Sequence, residues 1–276
     1  MSANGANDAN DAMSANDASD AYPKKWEDFL AAPAFVINLA RCPKRWEVSR
    51  ERLAAAGFTD VRRWEAVDAG SARGTEEGAA RLAEGWKRHG SPPFAPGDKE
   101  FKVTYRGKQG CMLSHLDLMK HIADPANGVS YAIVFEDDVL VHPRWEELAP
   151  AYYGATPRDY DLVFAGSQME MHSEYSIAQV PCFCTNAMAM PRDGARRVYE
   201  FLLGDPAGVR TIDCMLKDHQ EAVVLSRGAV SPKFNWYVWN ATMFPAAEAR
   251  MPKGWTKRNT GLVFQDAEYV SEVRPW

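Results

Sequence analysis

The stretch Tyr131-Ala132-Ile133-Val134-Phe135 is continuously apolar and runs directly into Glu136-Asp137-Asp138. An unbroken apolar run of this length reads as a strand covered on both faces, which requires a helix-flanked sheet. Side chains alternate along a strand, so Glu136 and Asp138 project to one side and Asp137 to the other. Three carboxylates ending a buried strand are costly unless something compensates them. Oxygen-only ligands at the carboxyl edge of an α/β sheet suit a hard cation such as Mg²⁺ or Mn²⁺, and such edges are where open α/β sheets bind ligands. A solvated acidic turn capping the next helix is the competing reading.

The rest of the chain alternates in the same style. Strands are predicted over 34–39, 61–66, 161–166 and 222–226, and helices over 44–56 (stopped by Gly57), 111–122, 192–203 and 212–218. A Gly-rich helical stretch follows the second strand, and a Pro-rich connection covers 91–98. Alternation of this kind gives an α/β fold, a mixed and mostly parallel sheet flanked by helices. Residues 1–22 are Ala, Asn, Asp, Ser and Gly in near-repeat and read as a disordered low-complexity leader, leaving 23–276 as one domain.

Composition removes several classes of function. With 46% hydrophobic residues and a net charge of −5, the chain offers no basic stripe for nucleic acid or an anionic membrane. No apolar run reaches the ~20 residues of a membrane span, and the start of the chain lacks a basic region followed by an apolar one. The protein therefore reads as cytoplasmic. Its five cysteines, Cys42, Cys111, Cys182, Cys184 and Cys214, show no Cys-x-x-Cys spacing, which argues for free thiols over a disulfide framework or a structural zinc site. His142, His172 and His219 lack the spacing of a histidine metal site.

Several segments, taken in order, resemble glycosyltransferase family 25, which includes bacterial lipooligosaccharide galactosyltransferases and collagen galactosyltransferases. They are Val36-Ile37-Asn38-Leu39-Ala40-Arg41 with Arg45 beyond, Ala66-Val67-Asp68, Gly110-Cys111-Met112-Leu113-Ser114-His115, and Glu136-Asp137-Asp138. Asn186 to Gly194-Ala195 and Thr211-Ile212-Asp213 match more weakly. The family commonly has an acidic residue where Ala40 stands, and a Gly where Ala69 stands. The resemblance implies a single-domain nucleotide-sugar transferase fold of the GT-A-like type and an inverting, metal-dependent transfer. The donor would be a UDP-sugar, galactose first with glucose or xylose open, and the acceptor a hydroxyl of a glycan or glycoprotein.

Under that reading Glu136 and Asp138 hold Mn²⁺ or Mg²⁺, and Asp137 supports the loop or the donor ribose. Asn38, Arg41 and Asp68, at the ends of the first two strands, meet the nucleotide, because guanidinium forks suit phosphate and Asn suits a uracil edge. Arg45 reads either as a further nucleotide contact or, in a helix already rich in surface cations, as solvated, which makes Arg41 the better candidate. Ser114 and His115 are placed in a first helical turn after Gly110, where free N–H groups favour a diphosphate. Their bland alternative is a Ser bonded back to its helix and a His bordering the core. Lys108 would add positive charge nearby. Met112, Leu116, Met119 and Ala123 mark one apolar helix face, and Cys111 is assigned with Met112 to the core. Asp213 is the candidate base for the acceptor hydroxyl, with helix capping as its competitor; Asp161 reads as a strand entry.

Gly166-Ser167-Gln168 is either a substrate contact or a turn. Met169, Met171 and His172 fall in a candidate lid. The aromatic run Phe234-Asn235-Trp236-Tyr237-Val238-Trp239 is core or an acceptor platform. Two other functions compete. A sugar nucleotidyltransferase should carry a Gly-rich basic loop after the first strand, where this chain has Ala40-Arg41-Cys42-Pro43. A non-catalytic glycan- or nucleotide-sugar-binding protein would have no need to keep Glu136, Asp138 and Asp213.

Overall fold

The computed structural model describes residues 21–68, 99–169, 173, 175–204, 211–240 and 261–266. The Gly-rich stretch after residue 68, the Pro-rich 91–98, Met171, His172 and all but the end of the 1–22 leader lie outside these. Among the described residues there are nine strands: β1 Ala34–Asn38, β2 Val61–Glu65, β3 Tyr131–Glu136, β4 Val139–Val141, β5 Leu162–Met169, β6 Ile177–Ala178, β7 Cys182–Pro191, β8 Trp236–Trp239 and β9 Val263–Gln265. The helices are α1 Trp26–Ala31, α2 Pro43–Ala55, α3 Lys99–Ala123, α4 Trp145–Ala155, α5 Arg192–Gly204 and α6 Ile212–Leu225.

Seven strands form one sheet in the order β2-β1-β3-β7-β5-β8-β6, and β4 pairs with β9 in a small second ladder. The sheet is mixed, as expected. Its pairings divide evenly: β1 with β2, β1 with β3 and β5 with β8 run parallel, whereas β7 runs antiparallel to both neighbours and β6 to β8. The parallel majority expected from the alternation is therefore reduced by strand β7, which enters the sheet between β3 and β5. Because β7 is reversed against both, β1, β3 and β5 all point their carboxyl ends to one edge.

Strand alternation sorts β3 between two cores. Ala132 and Val134 pack with Met112, Leu116 and Met119 of α3 and with Val198 and Leu202 of α5. Tyr131, Ile133 and Phe135 pack with Leu53 of α2, Phe29 of α1 and Trp145 and Tyr152 of α4. Both faces of the central strands are thus dry, and each fully buried aliphatic side chain contributes roughly 1.5–3 kcal/mol of transfer free energy. By parity Glu136 falls on the α3 face and Asp137 on the α2 face. Trp236 and Trp239 are 1% exposed, so the aromatic run forms core strand β8; only Tyr237, half-buried, departs from that.

Helix α2 shows how local sequence writes its own ends. Pro43 sits at its first turn, where a missing N–H is harmless. At its other end Gly57 adopts φ +95°, with Gly57 N–H donating to Ala54 O and Phe58 N–H to Leu53 O. That paired closure satisfies the last carbonyls and needs a left-handed residue.

Three predicted boundaries are corrected. Helix α3 begins at Lys99 instead of near residue 111, so Gly110 is a buried mid-helix residue. One glycine costs a helix only about 1 kcal/mol relative to Ala, which the turns on either side absorb. The strand expected over 222–226 is instead the last turn of α6, which continues to Leu225. Val223 and Val224 favour strands by local propensity, but both pack against the α3-side core, and burial decides. Strand β5 also extends three residues beyond the predicted end at 166, to Met169, so Gly166-Ser167-Gln168 is strand and not a turn. A Cβ on Gly166 would lie 2.2 Å from Val263 O; the glycine lets the start of β9 approach β5 closely. No helix among the described residues is long and apolar enough to cross a membrane.

Candidate active site at the carboxyl edge of strand β3

The acidic end of β3 is gripped from two sides. On the α2 side, Arg45, Ser49 and Arg52 fall at i, i+4 and i+7, on one face of the helix. Arg45 forms an ion pair with Asp137 and lies 3.8 Å from Asp138. Ser49 Oγ donates to Asp137 O at 2.7 Å, and Arg52 donates to Val139 O at 3.0 Å and pairs with Asp266 at 2.7 Å. Asn38, ending β1, donates through Nδ2 to Asp137 Oδ2 at 2.5 Å and to Cys42 O at 3.0 Å. Arg45, which the sequence leaves between a nucleotide contact and a solvated role, is a largely covered partner of the carboxylates, with its side chain 14% exposed. The signal that would have found it was the polar stripe with Ser49 and Arg52.

On the α3 side Glu136 accepts from Thr185 Oγ1 at 2.9 Å and from Gln265 Nε2 at 3.3 Å, and His115 Nε2 lies 3.5 Å away. Thr185 and Gln265, neither foreseen, come from β7 and β9, strands distant in sequence. Cys111, one turn before His115, also faces this side: ligand atoms of Cys111, His115 and Glu136 all lie within 4.8 Å of one another. It also packs against the α3-side core with Met112, as expected, so one side chain serves both. Cys184, next to Thr185, holds a left-handed backbone at φ +71°, which is uncommon for a non-glycine residue and clusters at functional sites.

Asp138 itself is 3% exposed, and its Oδ1 has no hydrogen-bond partner among the described residues. Its backbone O accepts from Asp266 N–H at 2.6 Å. Burial and then the Glu136 charge push the Asp138 carboxyl up to about 8. Burial also raises Asp137, against the pull of Arg45. For Glu136 burial acts upward, but His115, Thr185 and Gln265 outweigh it and hold this carboxyl below its ordinary value. The two carboxyls are thus pushed in opposite directions, Glu136 down and Asp138 up, so the pair resists carrying two negative charges when nothing else compensates it. An orphaned buried carboxylate oxygen beside a second carboxylate, with all-oxygen donors, fits a hard divalent cation.

The remaining candidates divide. Ser114 serves the fold: it donates to Gly110 O at 2.6 Å and accepts the Val67 N–H at 2.8 Å, fixing the chain after β2. Because α3 starts at Lys99, Ser114 and His115 lack the free N–H groups expected of a first turn, so no helix N-terminus favours a diphosphate at these two residues. Arg41 and Asp68 pair at 2.9 Å on the rim of the same edge, with side chains 48% and 32% exposed. Asp213 lies in the first turn of α6 and accepts the Cys214 N–H at 2.9 Å. Burial, then Glu136, Asp213 and Asp138, raise the Cys111 thiol well above its ordinary value, so Asp213 is within electrostatic reach of the same corner as the β3 carboxylates. Lys108 acts on Cys214 from α3. Asp161 accepts from Arg197 Nε and from the Asn235 N–H, each at 2.7 Å, and clamps α5 to β8.

This constellation falls largely within the region, residues 31–188, that matches the family model "Glycosyltransferase family 25 (LPS biosynthesis protein)". The chain belongs to glycosyltransferase family 25. It is therefore an enzyme of glycosyl transfer, and β3 with its acidic end lies inside the matched region, whereas Asp213 and β9 lie beyond it. Among solved structures, one similar chain is a glycosyltransferase involved in the glycosylation of the major capsid of PBCV-1, at 10% identity and a TM-score of 0.41, covering 87% of this chain and 95% of that one. No curated protein sequence matches this one.

Proposed function

We propose that this family 25 glycosyltransferase moves a sugar, galactose in the first instance, from a UDP-sugar to a hydroxyl of a glycan or glycoprotein with inversion. The observation that carries the reading is the Glu136–Asp138 pair, half-buried at Glu136 and buried at Asp138, with its orphaned Asp138 oxygen. These two residues would hold Mn²⁺ or Mg²⁺, which supplies Lewis-acid neutralisation of the leaving diphosphate when bound there. Asn38 and Arg45 keep Asp137 fixed, so the turn after β3 does not collapse when its charges are crowded. Arg41, exposed on the rim, would trade part of its contact with Asp68 for a phosphate oxygen, with Asp68 offered to a ribose hydroxyl. Asp213 takes the proton of the acceptor hydroxyl as it attacks opposite the nucleotide, and neighbouring Cys214 N–H keeps that carboxylate oriented.

The test is a panel of nucleotide sugars with Mn²⁺ or with EDTA, read by thermal shift and by release of nucleoside diphosphate to water. Ligands that bind the folded state raise its apparent stability by mass action, so no acceptor is needed. A Mn²⁺-dependent shift confined to a UDP-sugar, with slow hydrolysis, supports the reading and names the donor. A response only to another nucleotide, or equal binding in EDTA, rejects it. Asp213→Asn should bind donor as the wild type does and lose turnover; weakened donor binding would remove its role as base.

A further inference from the structure

A second donor set shares Glu136. Cys111 and His115 stand at i and i+4 on α3 and face the same way, and their ligand atoms, with a Glu136 oxygen, lie within 4.8 Å of one another. Helical i, i+4 ligands joined by a carboxylate from another element are a recurrent way to seat a tetrahedral metal. The His115 ring is 1% exposed, with Nε2 beside Glu136 and Thr185, and its Nδ1 has no hydrogen-bond partner among the described residues. A buried imidazole nitrogen with no hydrogen bond among the described residues is unusual, since such groups are normally satisfied, and it leaves the ring with a lone pair to offer a ligand.

We propose that Cys111, His115 and Glu136 bind a soft divalent cation of the zinc class, at a site separate in chemistry from the hard-cation site of Glu136 and Asp138. Thiolate and imidazole select Zn²⁺ over Mg²⁺ or Mn²⁺, and Zn²⁺ stands well above Mn²⁺ in intrinsic affinity for such donors. The charges close: a thiolate, a carboxylate and a neutral imidazole neutralise one Zn²⁺, so the filled site is not a buried net charge. The Cys111 proton leaves to solvent on binding. Tetrahedral Zn²⁺ with bonds of about 2.0–2.3 Å sets its ligands roughly 3.3–3.8 Å apart, a distance that side-chain rotation within the present cluster can reach. Three protein ligands leave a fourth position open to water or an incoming group.

Because Glu136 belongs to both sets, occupancy by zinc withdraws it from the hard-cation site. Zinc then acts as an antagonist of Mn²⁺-supported nucleotide binding. This second step rests on the proposed function; the binding itself does not.

The experiment uses the full chain stripped of metal. Co²⁺ is titrated and read by its thiolate charge-transfer absorption and its intense tetrahedral visible bands, and Zn²⁺ is titrated against a chromophoric chelator. The expected result is one equivalent of each metal, with the thiolate band lost in Cys111→Ser, kept in Cys184→Ser, and Zn²⁺ affinity lowered at least about tenfold by Cys111→Ser. X-ray absorption of the Zn²⁺-loaded wild type, which needs no variant, should show a single sulfur at about 2.3 Å with N/O ligands. Absence of sulfur, or equal Zn²⁺ affinity in wild type and Cys111→Ser, overturns the site. In a parallel arm one equivalent of Zn²⁺ should suppress Mn²⁺-dependent UDP-sugar binding, and Cys111→Ser should remove that suppression while still responding to Mn²⁺. Zinc binding without suppression overturns the antagonism alone. If no UDP-sugar binds under any condition, the proposed function fails while the spectra still decide the zinc site.

Discussion

Two arginine–aspartate pairs, one on the rim and one inside the same sheet edge, use the same groups for different ends. Arg41–Asp68 joins the loops after β1 and β2 with both side chains substantially exposed, whereas Arg45–Asp137 sits beneath the turn after β3 with side chains 14% and 11% exposed. An exposed pair is screened by water and salt and contributes about 0–1 kcal/mol. In the buried pair each charge has already lost its hydration, so neither partner is dispensable once the other is in place. The lesson is that the outer pair can open to admit a ligand at little cost, and the inner pair can only hold. Asn38 and Ser49 reinforce this by binding Asp137 at its carboxylate and at its carbonyl.

The contrast is broken or sharpened by substitution. The largest effect is expected where the inner region meets its ligand: Glu136→Gln or Asp138→Asn should lower cation-dependent turnover of the donor by about a hundredfold or more. The melting temperature should hold or rise, because each change removes repulsion between crowded carboxylates. Unfolding of both variants would mean that these residues are structural. Next, Arg45→Ala should cost about 3 kcal/mol in denaturant unfolding, since it strands Asp137; adding Asp137→Ala should return part of that, a coupling that additive sites would not show. Asn38→Ala should cost about 1–2 kcal/mol through the lost bond to Asp137. The smallest stability effect belongs to the outer pair: Arg41→Ala should change unfolding by less than about 1 kcal/mol, while raising KM for the donor more than it lowers kcat. A stability loss at Arg41 as large as that at Arg45 would erase the comparison.

How much of this was legible in the sequence varies by element. The apolar runs of β1 and β3 declared themselves, because doubly covered strands have no polar face to hide. The spacing of Met112, Leu116 and Met119 marked the buried face of α3 correctly, and strand parity sent Glu136 and Asp137 to opposite sides as read. Punctuation is less legible: Gly110 reads as a helix start and Val223-Val224 as a strand, yet all three lie inside helices, since a single residue's propensity is worth a fraction of what packing supplies. Arg45 is ambiguous for a related reason. A helix rich in cations looks solvated unless the stripe through Ser49 and Arg52 is followed at helical spacing.

The sequence by itself determined a helix-flanked α/β sheet with carboxylates at the end of a central strand, because apolar continuity and side-chain alternation are local properties carried by consecutive residues. Only the tertiary structure decided who stands opposite those carboxylates. Thr185 and Gln265 reach Glu136 because β7 enters the sheet reversed and β9 pairs with β4, and Asn38 reaches Asp137 because β1 lies parallel to β3. Such partners are set by strand order and register, which depend on contacts between segments roughly fifty to more than a hundred residues apart. The closure of those long loops is settled by the whole core and by no residue on its own.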